Sequence, residues 1–241
     1  MVRLLAAVLL VVTSVPSVVD APPPTYRIYA TREGLVGRTT SNGHVITSRD
    51  HFVSLPSTKS VSPRGSGTYT AKVCRTDGGR CEYAPVWDVG PWNTRDDFWS
   101  PSRTEFPALP QGVPEAQAAF QDGFNGGKDS RGRKVTNPAG MDLADGVFWD
   151  GLGLTGSAWV DVTLLWTGVE GVTGTVTATV ELRAGPSPSA AVVGLAAAAS
   201  RVPVLCRSAG WDRLAADEYV AAGSVTGADD SPECVSGSSR P

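Results

Sequence analysis

The stretch Tyr69–Trp87 contains two strand-like runs, Tyr69-Thr70-Ala71-Lys72-Val73-Cys74 and Cys81-Glu82-Tyr83-Ala84-Pro85-Val86-Trp87, on either side of the turn Thr76-Asp77-Gly78-Gly79. Runs rich in β-branched and aromatic residues that flank a glycine-rich turn are typical of a β-hairpin. Cys74 and Cys81 would then face each other across the hairpin, where a disulfide can form. The stretch therefore predicts a β fold for the region around it.

The residues on both sides of this hairpin continue the β pattern. Tyr26–Ala30 and Ala158–Leu165 read as further strands, separated from the hairpin by segments rich in Gly, Asn, Ser and Pro. One segment differs, since Pro114–Asp122 begins with a proline suited to a first helical turn and continues with good helix formers. We expect an all-β fold in which residues 93–140 form a long excursion of loop and short helix.

A second β pattern begins near Val169. Its expected strands and turn are Gly174–Val180, the Gly-Pro-Ser-Pro turn at 185–188, Val192–Gly194 and Val202–Cys206. Short strands at this spacing predict a small second barrel. The residues after Cys234 are mainly Ser, Gly, Arg and Pro and predict a tail without fixed structure.

The first residues have the composition of a secretory signal peptide. Arg3 precedes the apolar run Leu4–Val12, and small residues follow up to Ala21. The apolar run is well short of the ~20 residues that a membrane-spanning helix needs, so we expect no membrane anchor. We assign residues 1–21 to the signal peptide, with cleavage between Ser17 and Ala21, and expect a secreted protein. Roughly 220 residues would remain, enough for two domains.

The four cysteines fit disulfides better than metal ligands. Export to an oxidising compartment makes disulfides the default, and of three possible connectivities Cys74–Cys81 with Cys206–Cys234 respects the expected domain split. The spacing contains no C-x-x-C pattern and no neighbouring histidine, which argues against zinc. The acidic and amide residues of 122–129 do not match a calcium loop. We expect no metal and no cofactor.

The charge of the chain bears on its partners. The formal net charge is −3 and no basic patch is evident. Phosphate binding requires such a patch, so we expect no nucleic-acid partner. We also expect a monomer.

Four pieces of the first half follow one another in order. They are Thr39-Thr40-Ser41-Asn42-Gly43, His51 with Leu55-Pro56, Trp87-Asp88-Val89-Gly90-Pro91-Trp92, and Met141-Asp142-Leu143-Ala144 with Leu152-Gly153-Leu154. In this order they resemble the double-psi β-barrel of rare lipoprotein A and its expansin-like relatives. The resemblance implies a six-stranded double-psi β-barrel over residues 26–167. It also implies a carbohydrate partner, peptidoglycan or a related cell-wall polysaccharide.

Three segments of the second half are informative together, Glu181–Ser187, Trp211–Leu214 and Tyr219–Ala221. The first is similar to the Asn-Val-Arg-Ser-Gly-Pro-Ser segment of the bacterial SH3 family, and the other two are similar to the closing strands of that family. The resemblance implies a small SH3-like β-barrel over residues 169–227, followed by a tail at 228–241. Such domains accompany cell-wall enzymes, so the resemblance also implies a wall anchor.

Asp88 is the first candidate for catalysis. Lytic cleavage of a glycan needs a carboxylic acid that protonates the leaving oxygen while a hydroxyl of the sugar closes onto the anomeric carbon. Asp88 lies between Trp87 and Val89, where burial would raise its pKa, and the resemblance implies an acid/base role for it. The alternative is that Asp88 only accepts backbone hydrogen bonds at the turn.

Five further residues complete the predicted site. By resemblance, His51 would position the sugar or tune the pKa of Asp88, and Asp142 would be a second acid. Either could instead have an ordinary structural role. Trp92 and Trp99 are candidates for stacking on a sugar ring, and Asn42 is a candidate substrate ligand on its turn.

Departures from the family leave the activity open. Val89 stands where rare lipoprotein A has arginine, and the excursion at 93–140 is far longer. Our leading hypothesis is a secreted, wall-associated lytic transglycosylase that uses Asp88. The alternatives are a non-catalytic, expansin-like module that binds the wall, and an inhibitor or adhesion factor that uses the barrel as a scaffold.

Overall fold

The structure, a computed structural model, describes residues 22–168 and 171–235. The predicted signal peptide, residues 1–21, lies outside the described residues, as does the part of the predicted tail after Val235. Over the described ranges the chain is all-β, as predicted, with 14 strands and one α-helix. None of the helices in these ranges is long and apolar enough to cross a membrane.

The first six strands and the α-helix belong to the N-terminal part of the chain. They are β1 (Thr25–Arg32), β2 (Val53–Leu55), β3 (Thr70–Arg75), β4 (Cys81–Val89), α1 (Glu115–Asp122), β5 (Ala139–Leu143) and β6 (Ala158–Leu164). The other strands are β7 (Thr173–Val176), β8 (Val180–Arg183), β9 (Val192–Ala196), β10 (Arg201–Pro203), β11 (Cys206–Ser208), β12 (Trp211–Ala215), β13 (Glu218–Ala221) and β14 (Val225–Thr226).

Strands β1 to β6 close into a barrel. The order of hydrogen-bonded strands is β4-β2-β5-β1-β6-β3, and pairing of β3 with β4 closes the ring. Two pairings, β1 with β5 and β2 with β4, are parallel, and the other four are antiparallel. The barrel interior is filled by apolar side chains, among them Ile28, Leu55, Met141 and Leu164, each fully buried. Burial of this set supplies the main driving force for closure.

The excursion between β4 and β5 contains the predicted helix. Helix α1 begins after Pro114 and ends at Gly123, whose left-handed conformation (φ 69°) terminates it. Its alanine face packs on Val135 and on the half-buried Trp92. The excursion is anchored by an ion pair of the buried side chains Arg103 and Asp96, in which Arg103 Nη2 lies 2.5 Å from Asp96 Oδ1.

The C-terminal strands form two groups around a second apolar core. Strands β7, β10 and β14 make a three-stranded sheet, and β8, β9, β11, β12 and β13 join the barrel sheet through a parallel pairing of β9 with β4. At this junction Gly194 lies against Cys81, and an added Cβ would meet the Cys81 carbonyl oxygen at 1.8 Å. Tyr83 of β4 packs into the second core with Leu182 and Leu214.

The structure confirms the predicted disulfides and contradicts one predicted strand. Both disulfides are present, Cys74–Cys81 and Cys206–Cys234. The single strand predicted over Gly174–Val180 is wrong, because the chain passes from β7 into β8, which lies in a different sheet. A π-helical turn over Gly146–Gly151 was not predicted.

Candidate functional site

Four polar side chains lie in register across four neighbouring strands of the barrel. Ser54 of β2 pairs with Asp88 of β4 on one side and with Asp142 of β5 on the other. Asp142 in turn pairs with Thr31 of β1, and the Thr31 hydroxyl donates a hydrogen bond to Asp142 Oδ1. The barrel thus brings together Asp88 and Asp142, two of the predicted catalytic residues.

Glu33 joins this row from the end of β1. Its backbone N–H donates to the Leu143 carbonyl oxygen at 2.8 Å, and its carboxyl accepts a hydrogen bond from the Ser54 hydroxyl. Burial raises the pKa of Glu33 to about 8; the Ser54 hydrogen bond opposes this rise, while the charges of Asp142 and Asp88 and a hydrogen bond with Asp88 add to it. Near neutral pH the Glu33 carboxyl therefore carries a proton.

Asp142 is also held in a partly desolvated environment. Burial raises its pKa to about 6; the hydrogen bond from Thr31 opposes the rise and the charge of Asp88 adds to it. Two carboxyl groups with different raised pKa values, beside a third, form an arrangement that can divide acid and base roles.

Asp88 is fixed by the turn that precedes β2 in the chain. Its Oδ1 accepts from the Ser41 backbone N–H at 2.8 Å, from the Ser41 hydroxyl at 2.6 Å and from the Val89 N–H at 2.8 Å. Three donors on one oxygen suit a carboxylate that accepts hydrogen bonds. The bonds expected under the structural alternative are therefore present, and they also hold Asp88 next to Glu33. We call Glu33, Asp88 and Asp142 the carboxylate cluster.

Asn42 lies on the same turn as Ser41. Its backbone N–H donates to the Trp87 carbonyl oxygen at 3.1 Å, and its Oδ1 accepts from the Thr40 hydroxyl at 2.7 Å and the His44 N–H at 3.0 Å. Its Nδ2 is buried and has no hydrogen-bond partner within the described residues. A buried donor without a partner is costly, and its burial means that a ligand does not reach it in this structure.

His51 forms its contacts with a different acid. Its Nδ1 lies 2.7 Å from Oε1 of Glu82, which is fully buried. Burial raises the pKa of Glu82, although the His51 hydrogen bond opposes this. Burial alone would lower the pKa of His51, but its hydrogen bond with Glu82 and the Glu82 charge outweigh burial and raise it. Within the described structure the hydrogen-bonded side-chain partner of His51 is Glu82 rather than Asp88, and the expectation that His51 positions the sugar or tunes the pKa of Asp88 stays a prediction.

The two tryptophans predicted to stack on sugar differ in accessibility. Trp92 is half-buried, donates from Nε1 to Asn137 Oδ1 at 3.1 Å and has the Arg133 guanidinium 5.8 Å from its ring. Trp99 is only 7% exposed and packs edge-on against Phe98 in the barrel core. Trp99 therefore presents too little of its ring to serve as the open platform that we expected beside Asp88.

No group of three or more His, Cys, Asp or Glu side chains within residues 22–168 and 171–235 is arranged to hold a metal ion. The carboxylate cluster is surrounded by serine and threonine hydroxyls, which hydrogen-bond to the carboxyl oxygens. Carboxyl groups in such an arrangement can donate and accept protons.

Glu33 is the residue that sequence reasoning missed. Nothing local distinguishes it, since an acidic residue after a strand and before a glycine is common at a solvated strand end. Its place in the cluster follows from the parallel pairing of β1 with β5 and from the Ser54 hydroxyl. The alternation of Thr31 and Glu33 at the end of a predicted strand was the only available signal.

Fold and site together define a disulfide-bonded protein with a closed six-stranded β-barrel and a carboxylate cluster on neighbouring strands. A protein-family model described as a domain of unknown function (DUF8814) matches residues 24–163, which is more than half of the chain. The chain therefore belongs to the DUF8814 family, and the matched range contains the whole carboxylate cluster. No curated protein matches the chain.

Proposed function

We propose that this protein is a secreted, wall-associated lytic transglycosylase that cleaves the glycan strands of peptidoglycan at the carboxylate cluster. The observation that carries the proposal is that Glu33, whose carboxyl group is held by Ser54 and has a pKa raised to about 8 by burial, lies in one cluster with Asp88. Cleavage of a glycosidic bond requires a proton donor and a proton acceptor.

In the proposed reaction Glu33 acts as the acid and Asp88 as the base. Glu33 donates its proton to the leaving glycosidic oxygen as the bond between that oxygen and the anomeric carbon breaks. A hydroxyl of the same sugar bonds to the anomeric carbon and gives its proton to Asp88. The net result is transfer of one proton from Glu33 to Asp88, and the hydrogen bond between them returns it.

This assignment moves the acid from Asp88, where sequence reasoning put it, to Glu33. The three donors on Asp88 Oδ1 favour an accepting carboxylate, whereas burial keeps Glu33 protonated. Asp142 contributes its charge, which helps to keep the proton on Glu33.

We further propose that the barrel is of the double-psi type and that the C-terminal strands form an SH3-like wall anchor. The two parallel strand pairs within a closed six-stranded ring support the first point. The compact second core around Leu182 and Leu214 supports the second. The two disulfides favour an oxidising compartment and so support secretion.

The test is product analysis by mass spectrometry after incubation with purified peptidoglycan. Wild-type protein is expected to release anhydro-sugar ends, and Glu33→Gln and Asp88→Asn to release none while circular dichroism shows that both remain folded. Glu181→Gln, at an exposed glutamate on β8, is the matched control and should behave as wild type. Absence of anhydro products from the wild type would reject the enzymatic proposal.

A non-catalytic wall-binding module is the second candidate. It is favoured by the hydrogen bonds from Ser54, Thr31 and Ser41, which satisfy the carboxyl groups within the protein. Binding to purified sacculi that is equal for the wild type and Asp88→Asn, with no turnover by either, would support this candidate over the first.

A further inference from the structure

A second cavity lies at the other end of the barrel from the carboxylate cluster. It has a volume of about 440 Å³ and is lined by Tyr26, Lys59, Asp97, Trp99, Gln111 and Trp166, with other residues. Tyr26 and Thr31 are five residues apart on β1, which separates them by about 17 Å at about 3.3 Å per residue. The cavity is therefore distinct from the site described above. We call it the aromatic cavity.

The rings of Tyr26, Trp99 and Trp166 give the aromatic cavity its apolar surface. Trp99 and Trp166 pack edge to face with ring centroids 5.8 Å apart, and Tyr69 supports Trp166 from another side at 5.3 Å. Tyr26 and Trp166 are half-buried, so part of each ring is open to a ligand. The packing fixes the orientation of Trp166 before any ligand arrives, which lowers the entropy cost of binding.

Polar groups converge on the same space. Gln111 Nε2 donates to the Trp99 carbonyl oxygen at 2.7 Å and to Tyr26 Oη at 3.3 Å. Lys59 Nζ lies 2.6 Å from Asp97 Oδ2. This contact uses one of the three donor protons of the Lys59 ammonium group. Asp97 is 2% exposed, and its Oδ1 has no hydrogen-bond partner within the described part of the chain.

This combination identifies the class of ligand. A cavity of this size falls within the range of about 300–1,000 Å³ that is typical of small-molecule sites. Flat aromatic faces suit the C–H faces of a pyranose ring, and the amide, ammonium and carboxylate groups suit its hydroxyls. The opposite charges of Lys59 and Asp97 balance each other, so the site favours a neutral ligand over an anion.

From these observations we propose that the aromatic cavity is a second saccharide-binding site, which takes a neutral pyranose unit of a β-1,4-linked oligosaccharide. All-equatorial β-1,4-linked sugars present flat C–H faces, which the ring of Trp166 can cover. Gln111 Oε1 would accept a hydrogen bond from one sugar hydroxyl, and Lys59 would donate to another. The proposal does not depend on turnover at the carboxylate cluster.

The experiment is titration of the full-length secreted protein with soluble N-acetylglucosamine hexamer. Binding is followed by calorimetry and by NMR of the tryptophan indole N–H groups. We expect saturable binding that shifts the indole signals of Trp99 and Trp166. Trp166→Ala should weaken it by at least about tenfold, and Trp166→Phe, which keeps an aromatic face, by less.

Two further variants keep the test independent of folding. Gln111 is exposed, so Gln111→Ala should leave the fold intact and still weaken binding severalfold. Trp149→Ala removes a 40% exposed tryptophan that does not line the cavity and should leave the affinity unchanged. The indole signals of Trp99 and Trp166 report on the aromatic cavity and not on the carboxylate cluster, which separates this proposal from the enzymatic one. Absence of saturable binding, or binding unaffected by both Trp166→Ala and Gln111→Ala, would overturn the proposal.

Discussion

Ser54 donates a hydrogen bond to Glu33 although their strands, β2 and β1, are separated in the sheet by β5. The bond spans the strand that carries Asp142. Ser54 is 1% exposed. A buried hydroxyl in this position orients the Glu33 carboxyl group.

The first prediction concerns catalysis by Glu33. Glu33→Gln removes the proton donor while keeping the size of the side chain and a hydrogen-bonding group for Ser54. If the enzymatic proposal holds, we expect the rate of release of anhydro products to fall by about 10²–10⁴-fold, the usual contribution of general acid catalysis. The measurement is the initial rate under saturating peptidoglycan, beside the exposed Glu181→Gln control. A rate within twofold of the wild type would contradict the assignment of the acid.

The second prediction concerns the pH dependence of stability. The pKa of Glu33 is about 8 in the folded protein, above the ordinary value of 4.5. Between these values the folded state binds the proton that the unfolded state has released. The free energy of unfolding should therefore fall as the pH rises from about 4.5 to 8, by up to about 1.4 kcal/mol per pH unit, and level off above that range.

Urea unfolding of the wild type and of Glu33→Gln between pH 5 and 9 tests this dependence. The variant lacks the titrating group, so its curve should be flatter over this range. Asp142, with a pKa of about 6, adds a smaller fall between about pH 4 and 6 in both proteins. Parallel curves for the two proteins would show that Glu33 titrates normally.

Local sequence patterns predicted the parts of the fold that are made by near neighbours. The hairpin of β3 and β4, its disulfide and helix α1 are each encoded within a few residues, by alternation, a glycine turn and a proline at the helix start. The carboxylate cluster depends on contacts between distant strands, such as that of Thr31 with Asp142 across 111 positions. No periodicity specifies such a pairing.

The environments of Trp99 and His51 could not be predicted from the sequence for the same reason. Trp99 stands in a polar segment and was expected in an open groove, but Phe98 and Trp166 provide an apolar surface that buries it. His51 matched a family position, but its imidazole contacts Glu82. The alternation of residues within the strand gave no reason to expect a buried carboxyl group at position 82. In both cases tertiary packing decided the environment.

The third prediction follows from the pair of His51 and Glu82. His51→Ala would leave the Glu82 carboxyl fully buried without its partner, and breaking a buried ion pair typically costs about 3–5 kcal/mol. His51→Gln, which keeps a hydrogen-bonding group near Glu82, should cost less. Urea unfolding at pH 6 measures both. Equal stability of His51→Ala and the wild type would mean that the pair contributes nothing to the fold.

The activity of the His51→Gln variant distinguishes a structural role of His51 from a catalytic role. Because the imidazole contacts Glu82 rather than Asp88, the folded His51→Gln protein should release anhydro products at close to the wild-type rate. A loss as large as that of Asp88→Asn, in a protein shown to be folded, would restore the catalytic assignment that the family resemblance implied.

The last prediction compares the two disulfides. Cys206 and Cys234 are 28 positions apart, whereas Cys74 and Cys81 are 7 apart in a hairpin that backbone pairing already holds. The longer loop restricts the unfolded chain more, so its disulfide should contribute about 3–4 kcal/mol and the hairpin disulfide about 2–3 kcal/mol.

Paired Cys→Ser substitutions, compared by thermal unfolding, measure the difference. The Cys206/Cys234 variant should melt at the lower temperature because it loses the larger restriction of the unfolded chain. A lower melting temperature for the Cys74/Cys81 variant would contradict this prediction. It would mean that the barrel depends on the Cys74–Cys81 disulfide to keep β3 paired with β4.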